Sequence, residues 1–235
     1  MEILLVGVVH GDPEGYTKAM ALLEQWQPRA VSVEISAYSW QYRRRWTRRW
    51  QAQFQRWLAA CPPAQRHHLA LQRVQAQISM PFEVRAAVAY TQRHGLCWQP
   101  IDSNALARDH LPLYSRELLA PDNLRQLLTT PDGDFPTLIH QEYVRAASYL
   151  QGRRPGPQQP VIPLDPRRTL REKMMAHRLR RLARRWTRVL HLGGWEHLVY
   201  TGHNLTLADF LAPCQPQPLL LTSDGGDGSG RGQKE

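Results

Sequence analysis

Short apolar runs of strand type alternate with longer segments of helical period along most of the chain. Ile3 to Val9 is apolar throughout apart from Gly7 and ends at His10, where Gly11-Asp12-Pro13 turns the chain. Ala19, Leu22, Leu23 and Trp26 then recur at helical spacing as far as Pro28. Asp12 is expected to cap that helix, with Pro13 at its first position and Glu14 in its first turn. Ala30 to Glu34 follows as a second strand that ends on a carboxylate. A strand-helix-strand unit implies parallel strands joined by a right-handed crossover. Both strand ends, His10 and Glu34, then lie on the carboxyl edge of one sheet, where open α/β folds bind ligands.

The middle of the chain reads as mostly helical. Tyr42, Trp46, Trp50, Phe54 and Trp57 form an aromatic stripe with arginines around the remainder, expected to pack on the sheet or on a second subunit. Helices are expected over Ala64 to Ile78 and over Phe82 to His94, the second opened by Pro81 and closed by Gly95. Leu96 to Asp102 is a third strand, also ending on a carboxylate. Helices over Ala105–Leu119, Asp122–Thr129 and Thr137–Leu150 make an insertion. Gly152 to Pro166 is rich in Pro, Gly and Arg and reads as a loop, and Arg167 to Arg185 as a basic helix. Arg188 to Leu192 is a fourth strand, leading into Gly194-Trp195-Glu196-His197. A helix near Leu205 to Leu211 and the apolar run Pro218 to Leu221 end the ordered part. The expected fold is α/β, a mixed and mostly parallel sheet flanked by helices, in one domain over residues 1–221. Residues 222–235 are expected to be a disordered tail.

Composition narrows the function classes. No apolar run is long enough to span a bilayer, and Glu2 stands where a signal peptide carries basic residues, so a soluble cytoplasmic protein is expected. Cys61, Cys97 and Cys214 are scattered and form no C-x-x-C pair, which argues against a disulfide framework or a zinc ribbon. The net charge of +10 comes almost wholly from arginine, since only Lys18, Lys173 and Lys234 are lysines. That charge keeps a nucleic-acid partner in view as the lesser alternative to a solvated basic surface.

The candidate chemistry sits at the strand ends. G-x-x-H occurs twice, at Gly7–His10 and at Gly194–His197, each time where a strand gives out. Two imidazoles and the Glu34 carboxylate are a usual ligand set for Mn, Zn, Fe or Co, and three protein ligands leave a position open for water. His10, Glu34 and His197 are therefore the candidate metal ligands, with Asp102 as a fourth or as an orienter behind them. Glu196 is a candidate general base beside His197. His67-His68 reads as a surface pair, and Asn204 as the cap of the helix that follows it.

These residues also resemble a known family. Gly7-Val8-Val9-His10, an amphipathic helix and Pro28 to Glu34 are similar to the opening of the TraB/Tiki superfamily, which includes PrgY- and GumN-like proteins. Its distant relatives include erythromycin esterases and ChaN-like proteins. Glu83 to Ala89 resembles that family's glutamate-led helix, Gln99-Pro100-Ile101-Asp102 its next strand, Arg171 to Ala176 its arginine-led helix, and Gly194 to His197 its second G-x-x-H. The resemblance implies a metal-dependent hydrolase of peptidase or esterase type acting on a peptide or small anionic substrate. It places the metal and catalytic functions on His10, Glu34 and His197, with Arg171 binding a carboxylate or steadying an oxyanion. Two departures stand out: Glu172 occupies a position usually held by Asn or Asp, and the C-terminal membrane segments of many members are missing. A non-catalytic binder of peptide or anionic ligand on the same fold is the competing reading, and a homodimer is a further expectation from the aromatic stripe.

Overall fold

The computed structural model describes residues 1–152 and 165–222. In chain order its strands and α-helices are β1 (Glu2–Val8), α1 (Gly15–Trp26), β2 (Ala30–Val33), α2 (Ala37–Ala59), α3 (Leu69–Ile78), α4 (Phe82–His94), β3 (Cys97–Pro100), α5 (Asn104–His110), α6 (Pro121–Leu127), α7 (Phe135–Leu150), α8 (Pro166–Arg185), β4 (Arg188–Gly194), α9 (Leu207–Leu211) and β5 (Gln217–Leu220). Short 3-10 turns fill some of the connections, among them Trp195–Leu198 directly after β4.

The five strands form one sheet in the order β3-β2-β4-β1-β5. Every pairing is parallel, so among the described residues no antiparallel strand makes the sheet mixed. The apolar run Pro218 to Leu221 supplies its fifth strand, paired with β1. Although β1 and β2 are consecutive in sequence, β4 lies between them and hydrogen-bonds to both. That insertion brings the second G-x-x-H between the first G-x-x-H and Glu34.

A parallel sheet is buried on both faces, and its strands accordingly read as continuous apolar runs. One face, with Leu4, Val6, Val8, Val31, Val33, Leu190 and Leu192, packs on α1 and α4 through Ala19, Leu23, Phe82, Ala86, Ala87 and Tyr90. The other, with Ile3, Leu5, Ala30 and Val189, packs on α8 and α9 through Met175, Leu179, Leu182, Leu207 and Leu211. The aromatic stripe of α2, expected on the sheet or on a second subunit, does not cover the sheet. Trp50 and Phe54 are buried against Leu71, Val74 and Ile78 of α3 and against Leu111, Leu119 and Leu124, so the stripe centres a separate helical layer rather than covering the sheet.

Several local expectations are corrected. Glu14, not Asp12, occupies the N-cap position of α1; Asp12 is buried and its carboxylate accepts from the Lys18 ammonium and the Tyr143 hydroxyl. The segment Ala64 to Ile78 is broken, with the α-helix beginning only at Leu69. His68 is a buried residue that caps this helix, Nδ1 accepting from the Ala70 N–H. Thr206, rather than Asn204, caps α9, in a reciprocal capping box with Asp209. The expected loop Gly152 to Pro166 and the tail 222–235 lie almost entirely outside the described residues. Among the described residues no helix is long and apolar enough to cross a membrane.

Candidate active site at the carboxyl edge

The ends of β1, β2 and β4, the first turn of α4 and the second turn of α8 converge on the Glu34 carboxylate. Its Oε2 accepts the backbone N–H of Gly194 at 2.6 Å. Its Oε1 accepts Arg171 Nη2 at 2.5 Å and lies 2.9 Å from His197 Nε2. His10 Nε2 lies 3.6 Å from Oε2. Three residues distant in sequence, expected together from the strand pattern, are thus in one place.

Each histidine is held from behind. Glu83, in the first turn of α4, lies 2.6 Å from His10 Nδ1. Glu172 of α8, with no exposed side-chain surface, places both oxygens 2.7 and 2.8 Å from His197 Nδ1. A carboxylate on either side asks both imidazole nitrogens of His197 to donate, which only the imidazolium can do. Burial opposes that charge, yet the Glu34 and Glu172 carboxylates outweigh it and raise the His197 pKa to about 9. His10 is similarly raised: desolvation works against the cation, and Glu83 and Glu34 overcome it. Its side chain is 58% exposed, making it the member of the set that faces solvent. Glu34 is driven well below the usual carboxylate range, burial being outweighed by His197 and His10.

Arg171 is fixed rather than free. Its Nε and Nη2 donate to the two oxygens of Asp102 at 2.6 and 2.9 Å, while Nη2 also reaches Glu34. A bidentate guanidinium-carboxylate pair of this kind sets the orientation of the whole side chain. Arg178, two turns on, donates to the carbonyls of Ile101 and Asp102 and anchors α8 to the end of β3. Asp102 therefore sits behind Arg171, both of its oxygens engaged. Glu196 is exposed and pairs with Arg168 at 2.8 Å, outside the group around Glu34.

The glycines of the motif serve packing. A Cβ on Gly194 would lie 3.0 Å from His10 Nε2 and 3.4 Å from Glu34 Oε2, so the bare backbone lets the imidazole come down onto the end of β4. A Cβ on Gly193 would meet His191 Nε2 at 2.7 Å. On Gly7 it would touch Leu198 and the backbone of Trp195, so that glycine admits the 3-10 turn carrying His197.

Glu83, Glu172, His191 and Ser32 were not among the candidates. His191 is wholly buried, with Nδ1 3.0 Å from the Ser32 hydroxyl and, among the described residues, no partner for Nε2. Burial lowers its pKa to about 4, so it is neutral beside two charged histidines. A signal for the two glutamates existed. Glu83 precedes Ala86, Ala87 and Tyr90 at three, four and seven residues, and Glu172 precedes Met175, Ala176 and Leu179 likewise, so each sits on the apolar stripe of its helix. A carboxylate on such a stripe calls for a charged or hydrogen-bonding partner at the end of its side chain.

Among the described residues no three or more His, Cys, Asp or Glu side chains are arranged as a metal cage. The chemistry of the donor set nevertheless suits a divalent ion. The two imidazolium protons balance carboxylates that a divalent ion would balance with the same charge. Metal-bound histidines also characteristically give their other N–H to a carboxylate, as His10 and His197 can to Glu83 and Glu172. Comparison with protein-family models, curated proteins and solved structures finds no match.

Proposed function

We propose that the chain is a metal-dependent hydrolase of peptidase or esterase type, with His10, Glu34 and His197 as the metal ligands. The observation that carries this reading is the pair of imidazoles, each braced at Nδ1 by a buried glutamate and each presenting Nε2 to the same carboxylate. A divalent ion of the Mn, Zn, Fe or Co class, when bound, supplies Lewis acidity and a water of lowered pKa. The remaining steps belong to the chain. Glu83 and Glu172 fix the tautomer and orientation of the two histidines. Asp102 holds the Arg171 guanidinium in one orientation, where it offers a permanent positive charge to a substrate carboxylate or to an oxyanion developing at the attacked carbonyl. His10, whose side chain is 58% exposed, opens the site to solvent on the side from which substrate approaches. The resemblance to the TraB/Tiki superfamily supports the same assignment of His10, Glu34, His197 and Arg171. Glu172 in place of Asn or Asp is accommodated, because its longer side chain reaches His197 Nδ1.

The test is metal content by mass spectrometry on protein without a histidine tag, beside His10→Ala and His197→Ala variants that remain folded. Near-stoichiometric Mn, Zn, Fe or Co, lost in both variants, supports the reading and sends the protein to a screen of peptide and ester substrates. Should wild type, even after addition of these metals, bind none in a way that depends on the two histidines, a metal-free anion binder takes its place. The same fixed Arg171 and the two imidazolium groups favour that second reading.

A further inference from the structure

A second feature of α8 lies outside this site. Its inner face carries Glu172, Met175, Ala176, Leu179, Leu182 and Ala183 into the core. Its outer face is basic, and among the described residues His177, Arg180, Arg181 and Arg184 line a surface groove of about 300 Å³. Their spacing of three, four and seven residues places them along one side of the helix. Among the described residues none of the four has a carboxylate within ion-pair distance, whereas Arg168, Arg171 and Arg188 all do. The only acidic residue in α8 is Glu172, which is buried and committed to His197. The C-terminal half-charge of the helix, about −0.5, offsets only a fraction of three guanidinium groups.

We infer that this groove is a docking surface for the phosphodiester backbone of a nucleic acid. Guanidinium groups match phosphate oxygens in a planar fork, which a row of arginines repeats along a strand. A lipid headgroup offers the same phosphate, but a helix lying in a membrane interface must insert an apolar face. The apolar face of α8 is spent on the sheet, and Leu170 is the only large hydrophobic of the helix left exposed. The surface is independent of the proposed metal ligands, so its test and the metal test can fail separately.

The experiment is fluorescence anisotropy of labelled duplex DNA and duplex RNA with the full chain, titrated between about 50 and about 200 mM salt. Three proteins are compared: wild type, Arg180→Gln/Arg181→Gln/Arg184→Gln, and a control of equal charge loss on α2, Arg45→Gln/Arg48→Gln/Arg49→Gln. Each phosphate contact contributes about 0.9 to the slope of log K against log salt on duplex DNA, so the α8 variant is expected to flatten it by about 2.7. The control should leave the slope unchanged. A single Arg184→Gln variant, expected to flatten it by about 0.9, serves if the triple variant does not fold. Binding of either nucleic acid with this pattern supports the proposal, and the preferred duplex identifies the source. No binding at the lowest salt, equal flattening in the control, or tighter binding to phosphatidylserine vesicles than to either duplex overturns it.

Discussion

His197 shows how much of the site's character rests on single atoms. With one carboxylate removed, its nitrogens no longer both need to donate. Glu172→Gln should keep the shape, let the His197 pKa fall back from about 9, and weaken divalent-metal binding by about 10–100-fold. Competition against a chromogenic chelator measures this, and unchanged affinity would remove Glu172 from any role behind the metal. His191 behaves in the opposite sense. Its pKa is about 4 folded and 6.5 unfolded, so the unfolded chain takes up the proton first as the pH falls. Stability tied to this residue is complete above 6.5 and lost between 6.5 and about 4, at most about 3 kcal/mol. Urea unfolding at a series of pH values should show that loss in wild type and a shallower one in His191→Leu/Ser32→Ala, where neither polar partner is left alone. Equal slopes would mean that other groups carry the acid sensitivity. At this scale, His10, Glu34 and His197 were legible because each stands where an apolar run stops. Glu83 and Glu172 were harder to see, since a carboxylate on a helix is ordinarily a solvated residue, and only its apolar neighbours at three and four residues betray burial.

The elements that carry these residues were legible to differing degrees, for physical reasons. α4 runs from Phe82 to His94 as read, because Pro81 and Gly95 mark its ends by backbone chemistry that neighbours do not alter. α1 starts two residues later than Asp12 suggested, because Asp12 is drawn into the core by Lys18 and Tyr143. The end of β4 illustrates what no local pattern conveys. Gly193 and Gly194 look equivalent in sequence, yet their missing side chains make room for different histidines. Gly193→Ala forces a methyl to 2.7 Å from a buried ring that cannot move away, and should cost about 1–3 kcal/mol. Gly194→Ala presses on the exposed His10 at 3.0 Å, so its expected effect is weaker metal binding with stability nearly unchanged. Thermal melts and metal titrations on both variants separate the two; the reverse pattern would contradict the packing described.

Across the whole molecule, the sheet order decides where the site lies. The first crossover was legible, but β4's insertion between β1 and β2 was not, because strand order depends on contacts across more than 150 residues. The same distance hides the fate of the α2 stripe. Its periodicity announces an apolar face, but not that α3 and the segments around α5 and α6 cover it. That helical core shares no buried residue with the two cores on the sheet faces. Structural units with separate cores can open separately. Trp50→Ala, which empties the centre of the helical layer, should cost that layer about 3–5 kcal/mol. Amide hydrogen exchange is then expected to accelerate in α2, α3 and α6 while β1 and β4 keep their protection. The histidines of the proposed metal site, on the sheet side, would stay in place, and any metal affinity they confer would hold. A uniform rise in exchange across the sheet would instead make the two layers one cooperative unit, with α2, entered only three residues after Glu34, as the link through which a change in the aromatic core reaches the site.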